Sequence, residues 1–190
     1  MAKIIEMLDA RGAVYSNILG NAAMHKEVQN LYHSILFALS LGGKLLLCGN
    51  GGSAADCLHI TSEFVGRLTV DRGAWPALAL CSDISVLTCL SNDYSYDDVF
   101  RRQIEAYGSK NDLLIALSTS GNSKNIVIAI QTAQALGIQN YLITGSKDGE
   151  ASGIVDNILK IPSDNTQVIQ EMTISLFHIL IEALENEITE

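Results

Sequence analysis

The chain has 190 residues, 48% hydrophobic, 17% charged and only 6% aromatic, with a net charge of -9. That length fits one domain able to bury a real core, while the acidic balance and the scarcity of aromatics exclude a nucleic-acid-coating surface and base-stacking platforms. A mean hydropathy of +0.23 suits an α/β core plus apolar surface lost to subunit contacts, with a monomer of generous core as the alternative.

The N-terminus, Met1–Glu6, carries acid too early for a signal peptide. No apolar run reaches the ~18 residues a membrane span needs. Cys48, Cys57, Cys81 and Cys89 form no C-x-x-C pair and sit in apolar runs. They read as small core residues in a reducing compartment, so the expected location is the cytoplasm, with no membrane partner.

Residues 3–19 and 25–41 have helical spacing; in the second, Val28, Leu31, Tyr32, Ile35, Leu36 and Leu39 recur at three- and four-residue steps. Gly42-Gly43 ends it with a pair that tolerates left-handed backbone. Strand signals follow at Leu45–Cys48, Ala77–Cys81, Leu113–Leu117, Tyr141–Thr144 and Ile158–Ile161. Four are continuous apolar runs, the mark of parallel strands covered on both faces, and Lys160 marks the fifth as an edge. Helical patterns alternate with them, over roughly 53–66, 84–90, 98–107, 123–136 and 167–188. Alternation of this kind predicts a doubly wound α/β sheet with ligands beyond the carboxyl ends of the strands.

Two loops fall at those ends. Gly49-Asn50-Gly51-Gly52-Ser53 follows the first strand, and Ser118-Thr119-Ser120-Gly121-Asn122-Ser123 follows the third. Small residues, hydroxyls and a helix N-terminus at one spot make an anion cradle, so two such loops predict a phosphorylated small molecule. Gly49-x-Gly51-x-x-Ala54 also fits a loose dinucleotide fingerprint. The hydroxyl density of the second loop favours a terminal phosphate instead. Arg67, Arg101, Arg102 and Lys124 are the cations placed to add field.

His59 and Glu63, spaced i,i+4, share one helical face. That puts an imidazole beside a carboxylate, either as functional groups or as a hydrogen-bonded pair on a half-buried helix. Gln170 and His178 lie on the last helix, about 80° apart around it. His178 sits among Leu176, Phe177, Ile179 and Leu180, where a histidine is more often a satisfied core residue. Asn92-Asp93 reads as a cap or a turn, and Asp97 or Asp98 as a helix cap.

With these residues placed, the chain resembles the sugar isomerase (SIS) fold family, and within it the phosphoheptose isomerases, over essentially all of its length. The resemblance implies a single SIS domain over 1–190, a three-layer sandwich with a five-stranded parallel sheet flanked by helices. It adds an N-terminal helical extension, 1–41, used in packing a homotetramer. It implies that Asn50, Gly51, Gly52, Ser53, Glu63, Arg67, Asn92, Asp93, Ser118, Thr119, Ser120, Ser123 and Gln170 contact a phosphorylated seven-carbon sugar. It further implies that Glu63 and His178 are the catalytic pair and that His59, Glu63, Gln170 and His178 hold zinc, one per subunit.

The implied enzyme is an aldose-ketose isomerase acting through an enediol. It interconverts sedoheptulose 7-phosphate and D-glycero-D-manno-heptose 7-phosphate, the first step toward ADP- and GDP-heptose precursors. A C–H beside a carbonyl is a weak acid, so this chemistry needs a placed base and stabilisation of charge at the oxygen. Two departures from the family pattern stand out: Val168 replaces an arginine and Thr173 a histidine. Two alternatives remain: an isomerase of another phosphosugar, or a non-catalytic SIS regulator that binds the replication initiator. The regulator lacks counterparts of Glu63 and His178.

Overall fold

A computed structural model describes residues 2–189. Five parallel strands, β1 (Leu45–Gly49), β2 (Ala77–Ala79), β3 (Leu113–Leu117), β4 (Gln139–Thr144) and β5 (Asn157–Lys160), form one sheet in the order β2-β1-β3-β4-β5. Strand side chains alternate between faces, and both faces are covered. Leu45, Leu47, Leu113, Ile115, Tyr141 and Ile143 join a core with helices α2 (Ala22–Ser40), α3 (Gly52–Val65) and α7 (Thr166–Thr189). Leu46, Cys48, Leu114, Ala116 and Leu142 join a second core with α5 (Arg101–Tyr107) and α6 (Lys124–Ala135). This is the three-layer sandwich expected, and it explains why β1 and β3 are apolar at every position and wholly buried.

The helix ends follow local chemistry. The Asn21 carboxamide accepts from the Met24 N–H at the start of α2, and Gly42 ends it at φ 72°. Asp83 caps α4 (Ile84–Asp93) by accepting from the Ser85 and Val86 N–H groups. That helix runs three residues beyond the predicted end, so Asn92-Asp93 forms its C-terminus. The predicted helix 98–107 breaks into a 3-10 turn, Tyr96–Asp98, and α5. Asp98 caps neither element, because its carboxylate accepts from the Ser95 hydroxyl and Arg101.

Helix α1 (Ala2–Gly20) lies mostly outside the core. Only Ile18 is buried, while Ile4, Ile5, Met7 and Leu8 are each more than half exposed. An Arg11–Glu171 ion pair and a Tyr15–Ser175 hydrogen bond fasten α1 to α7. Among the described residues no helix is long and apolar enough to cross a membrane.

Candidate active site

The two loops begin side by side, because Gly49 at the end of β1 pairs with Leu117 at the end of β3. Gly49 is required there: a Cβ would lie 2.8 Å from the Ser53 backbone, where the first turn of α3 folds over the strand end. Gly51, at φ 56°, and Gly121, at φ 67°, supply the left-handed turns that aim each chain into its helix. The Oγ atoms of Ser118 and Ser120 accept from the loop's own Gly121 and Asn122 N–H groups. Each hydroxyl proton thus stays available to a ligand oxygen.

Between the loops lies a cleft of about 260 Å³ lined by Asn50, Gly52, Ser53, Leu117, Ser118, Thr119, Ser120, Ser123, Thr166 and Gln170. It gathers most of the predicted sugar-phosphate residues. Thr166, at the start of α7, carried no signal in the sequence. No cationic side chain lines the cleft. Arg101 is held by Asp98 and Glu105, Arg102 by Glu105, and Lys124 by Asp97, so these three do not serve the cradle as expected. Its positive field comes from the N-termini of α3 and α6.

Asn50 ties the loops together. Its amide exchanges two hydrogen bonds of 2.9 Å with Asn125, the buried second residue of α6, and its carbonyl oxygen also accepts from the Tyr96 hydroxyl. The sequence reading missed Asn125, because nothing in one chain position announces a partner 75 residues away.

A second cluster lies further along α3. Glu63 Oε1 is 3.0 Å from His59 Nε2 and 3.5 Å from His178 Nε2, with the two imidazole rings edge-on at 5.2 Å. The interaction with His178 is within ion-pair range but is not aligned as a hydrogen bond. Glu63 Oε2 and His178 Nε2 are buried without a hydrogen-bond partner. Such groups are costly unless something else completes them. The ligand atoms of His59, Glu63 and His178 all lie within 4.8 Å of one another. Zinc bonds of ~2.0–2.1 Å in a tetrahedron set ligand atoms roughly 3.3 Å apart, which the 3.0 and 3.5 Å separations bracket. The donor set and the orphaned atoms therefore fit a divalent cation.

Gly52, Asp56, His59 and Glu63, at steps of four, three and four, mark one stripe of α3. Asp56 was not singled out by sequence; burial pushes its carboxyl up to about 6, with the neighbouring His59 pulling the other way. At the start of the stripe Gly52 packs on Gln170: a Cβ there would come within 2.5 Å of the amide nitrogen. At its end Glu63 meets His178. Gln170 and His178 are therefore separated by eight residues, about 12 Å of helix, and one protomer brings only three of the four expected metal ligands together. Arg67 and the pair Asn92-Asp93 are exposed and do not line the cleft; Asn92 donates to Asp93. Val168 is buried in the core and the Thr173 hydroxyl donates to the Ile169 carbonyl, and neither lines the cleft.

Residues 14–145 match the family model described as the SIS domain. The phosphoheptose isomerase of Clostridium acetobutylicum is 44% identical over 171 residues, covering 90% of this chain and 87% of its own. That of Akkermansia muciniphila is 42% identical over 175 residues, covering 92% and 93%. Two solved phosphoheptose isomerases superpose closely. The Neisseria gonorrhoeae structure has a TM-score of 0.88 at 31% identity, covering 96% of this chain and 97% of that one. The Francisella tularensis structure has a TM-score of 0.92 at 29% identity, covering 97% of each.

Proposed function

We propose the reaction from the family: the chain belongs to the SIS-domain family, and within it to the phosphoheptose isomerases, and it interconverts sedoheptulose 7-phosphate and D-glycero-D-manno-heptose 7-phosphate. The observation that carries this reading is the partly buried Glu63 carboxylate set between two imidazoles, on the same helix whose N-terminus builds the phosphate cradle. The cradle holds the phosphate through loop hydroxyls and helix N-termini. That remote binding energy then fixes the reacting end of the sugar. Glu63 removes the proton from the carbon beside the carbonyl. His178 serves as the acid/base at the oxygen or at the second carbon, giving the enediol and returning the proton on the neighbouring carbon.

Within one protomer the cradle and this pair stand apart. Eleven residues of α3 separate Gly52 from Glu63, roughly 16 Å of helix. A seven-carbon sugar phosphate spans about 10 Å at full stretch, from C–C bonds of ~1.5 Å. The working site accordingly joins the cradle of one protomer to the Glu63/His178 pair of a neighbour in a homotetramer. The exposed apolar face of α1 supports such an assembly. The same juxtaposition lets Gln170 of the first protomer complete the metal set of the second. His59, Glu63 and His178 with that Gln170 would hold one zinc per subunit. When bound, zinc supplies electrophilic polarisation of the substrate carbonyl.

The location that suits this reading is the cytoplasm, where the four unpaired thiols stay reduced. Glu63 and His178 weigh against the non-catalytic regulator. Another phosphosugar remains the second reading, because the cradle reads phosphate and not chain length.

The deciding experiment is turnover of sedoheptulose 7-phosphate by the wild type beside Glu63→Gln and His178→Gln. Losses of about 10²–10⁴ in kcat in folded, assembled variants support the assignment. A wild type that binds the phosphosugar without turning it over refutes it in favour of a different sugar or the regulatory branch.

A further inference from the structure

The loop after α3 is held by a clasp that the reaction scheme above leaves unused. Arg72 and Glu185 form an ion pair of 3.1 Å, with side-chain exposures of 4% and 0%. The Arg72 guanidinium donates to the carbonyls of Glu63 at 2.8 Å, Phe64 at 3.0 Å and Gly66 at 3.3 Å, and its carbon lies 3.4 Å from the centre of the Trp75 ring. Glu185 in turn accepts from the Leu68, Thr69 and Val70 N–H groups and from the Thr69 hydroxyl.

Each half of this network answers a specific need. Helix α3 ends at Val65, so the carbonyls of its last turn lack intrahelical partners. Arg72 donates to two of them, Glu63 and Phe64, beside the Gly66 and Trp75 N–H groups that reach Ser62 and Phe64, and it sets a positive charge at the helix's negative end. The turn it secures is the one that carries Glu63. Glu185 gathers the loop that begins with Arg67, and it stands on α7 seven residues after His178, two turns along the same stripe. Thus the helix of the base and the helix of the acid are bolted together just beyond the reacting pair.

We infer that Arg72 and Glu185 are positioning residues that fix Glu63 relative to His178 and hold the Arg67 loop, and that turnover depends on this clasp more than sugar-phosphate binding does. The phosphate cradle lies at the other end of α3, and neither residue lines it. Loosening the clasp therefore misplaces the base while leaving the phosphate anchor intact. This inference rests on the isomerase reading for its kinetic part and on backbone geometry for the rest.

The test compares wild type, Glu185→Gln, Arg72→Lys and Arg72→Met at equal protomer concentration. The readouts are kcat and KM for sedoheptulose 7-phosphate, assembly state, and amide hydrogen exchange over residues 63–70. Glu185→Gln, nearly isosteric, is the decisive variant. Its kcat falls about tenfold to a hundredfold, the scale of an ångström-sized misplacement, while KM stays within about threefold. Exchange over 63–70 accelerates. Arg72→Met shows the larger kcat loss, and Arg72→Lys, or guanidinium added to the Met variant, restores part of it without changing KM. A kcat for Glu185→Gln within about twofold of wild type, or a parallel loss of kcat and sugar-phosphate affinity, overturns the inference. If the wild type shows no turnover, the isomerase reading fails and exchange alone decides: unchanged protection over 63–70 in Glu185→Gln overturns the clasp.

Discussion

The Asn50–Asn125 pair makes the two phosphate loops a single unit, and replacing Asn125 by Leu tests this. Leu keeps the heavy-atom count and branch point of Asn while replacing the planar amide by bulkier methyl groups, so the change removes both hydrogen bonds at a position that is buried. Two reciprocal 2.9 Å hydrogen bonds disappear, each worth about 1 kcal/mol net. Asn50 keeps its Tyr96 partner on the carbonyl side, but its half-buried amide nitrogen loses its acceptor. The sum is a loss of about 2 kcal/mol, and at ~2–4 °C per kcal/mol for a chain of this size Tm falls by roughly 4–8 °C. Thermal unfolding must be compared at one protomer concentration, because assembly shifts Tm by mass action. The double variant Asn50→Leu/Asn125→Leu leaves neither amide orphaned, so it is about 1–2 kcal/mol more stable than the sum of the single losses. Inorganic phosphate binds more weakly to all three, since the turn over Gly51–Ser53 loses its tie to α6. A wild-type Tm for Asn125→Leu, or single losses that add within ~0.5 kcal/mol, would refute the coupling of the loops.

Calorimetric titration of chelator-treated protein with zinc should give one site per subunit, lost in His59→Ala and weakened in Gln170→Ala; full affinity in Gln170→Ala contradicts a ligand shared between protomers. Burial pushes the Glu185 carboxyl up, but hydrogen bonds from Leu68, Thr69 and Val70 outweigh it and hold it near 2, against an ordinary 4.5. A depressed folded-state value means stability present above about pH 4.5 and lost as pH falls toward about 2, amounting to about 3 kcal/mol. Urea unfolding between pH 7 and pH 2.5 should therefore show an acid limb that Glu185→Gln flattens, and an unchanged limb would count against this assignment. Mixed oligomers of Glu63→Gln with a Ser118→Ala/Ser120→Ala cradle variant should regain turnover that neither has alone; no recovery in verified mixtures rules out a site shared between protomers. Ile5→Glu/Leu8→Glu should lower the mass measured by sedimentation and reduce turnover with it.

The sheet was legible because burial on both faces leaves no polar alternation: Leu45–Cys48 and Leu113–Leu117 announce themselves by composition alone. Helix ends were less legible. Helix α4 runs on to Asp93 because its Asp83 cap and exposed surface permit it, and residues 98–107 break because Asp98 spends its carboxylate on Ser95 and Arg101 rather than on a helix start. The phosphate loops were readable as local patterns of small and hydroxylated residues. Asn125, Arg72 and Glu185 were not, since each acts through a partner 75 or 113 residues away. Of the cations placed by sequence near the cradle, Arg101 and Arg102 went to acids three or four residues away, as charges on short helical spacings tend to do, and Lys124 went to Asp97.

Helix α7 sets the geometry behind the proposed site shared between protomers. It presents Gln170 at the cradle and His178 beside Glu63, about 12 Å of helix apart, too far to meet on one metal ion. Between these positions stand Glu171 and Ser175, the two residues that fasten α1. Helix α1 then carries its apolar residues, Ile4, Ile5, Met7 and Leu8, away from its own core. In the proposed homotetramer, the helix whose apolar face would be covered is thus docked on the segment of α7 between Gln170 and His178. If the proposed homotetramer forms in this way, assembly and catalysis share one ruler, the rise of α7, and a shift in subunit packing should alter turnover before it alters the fold of the protomer.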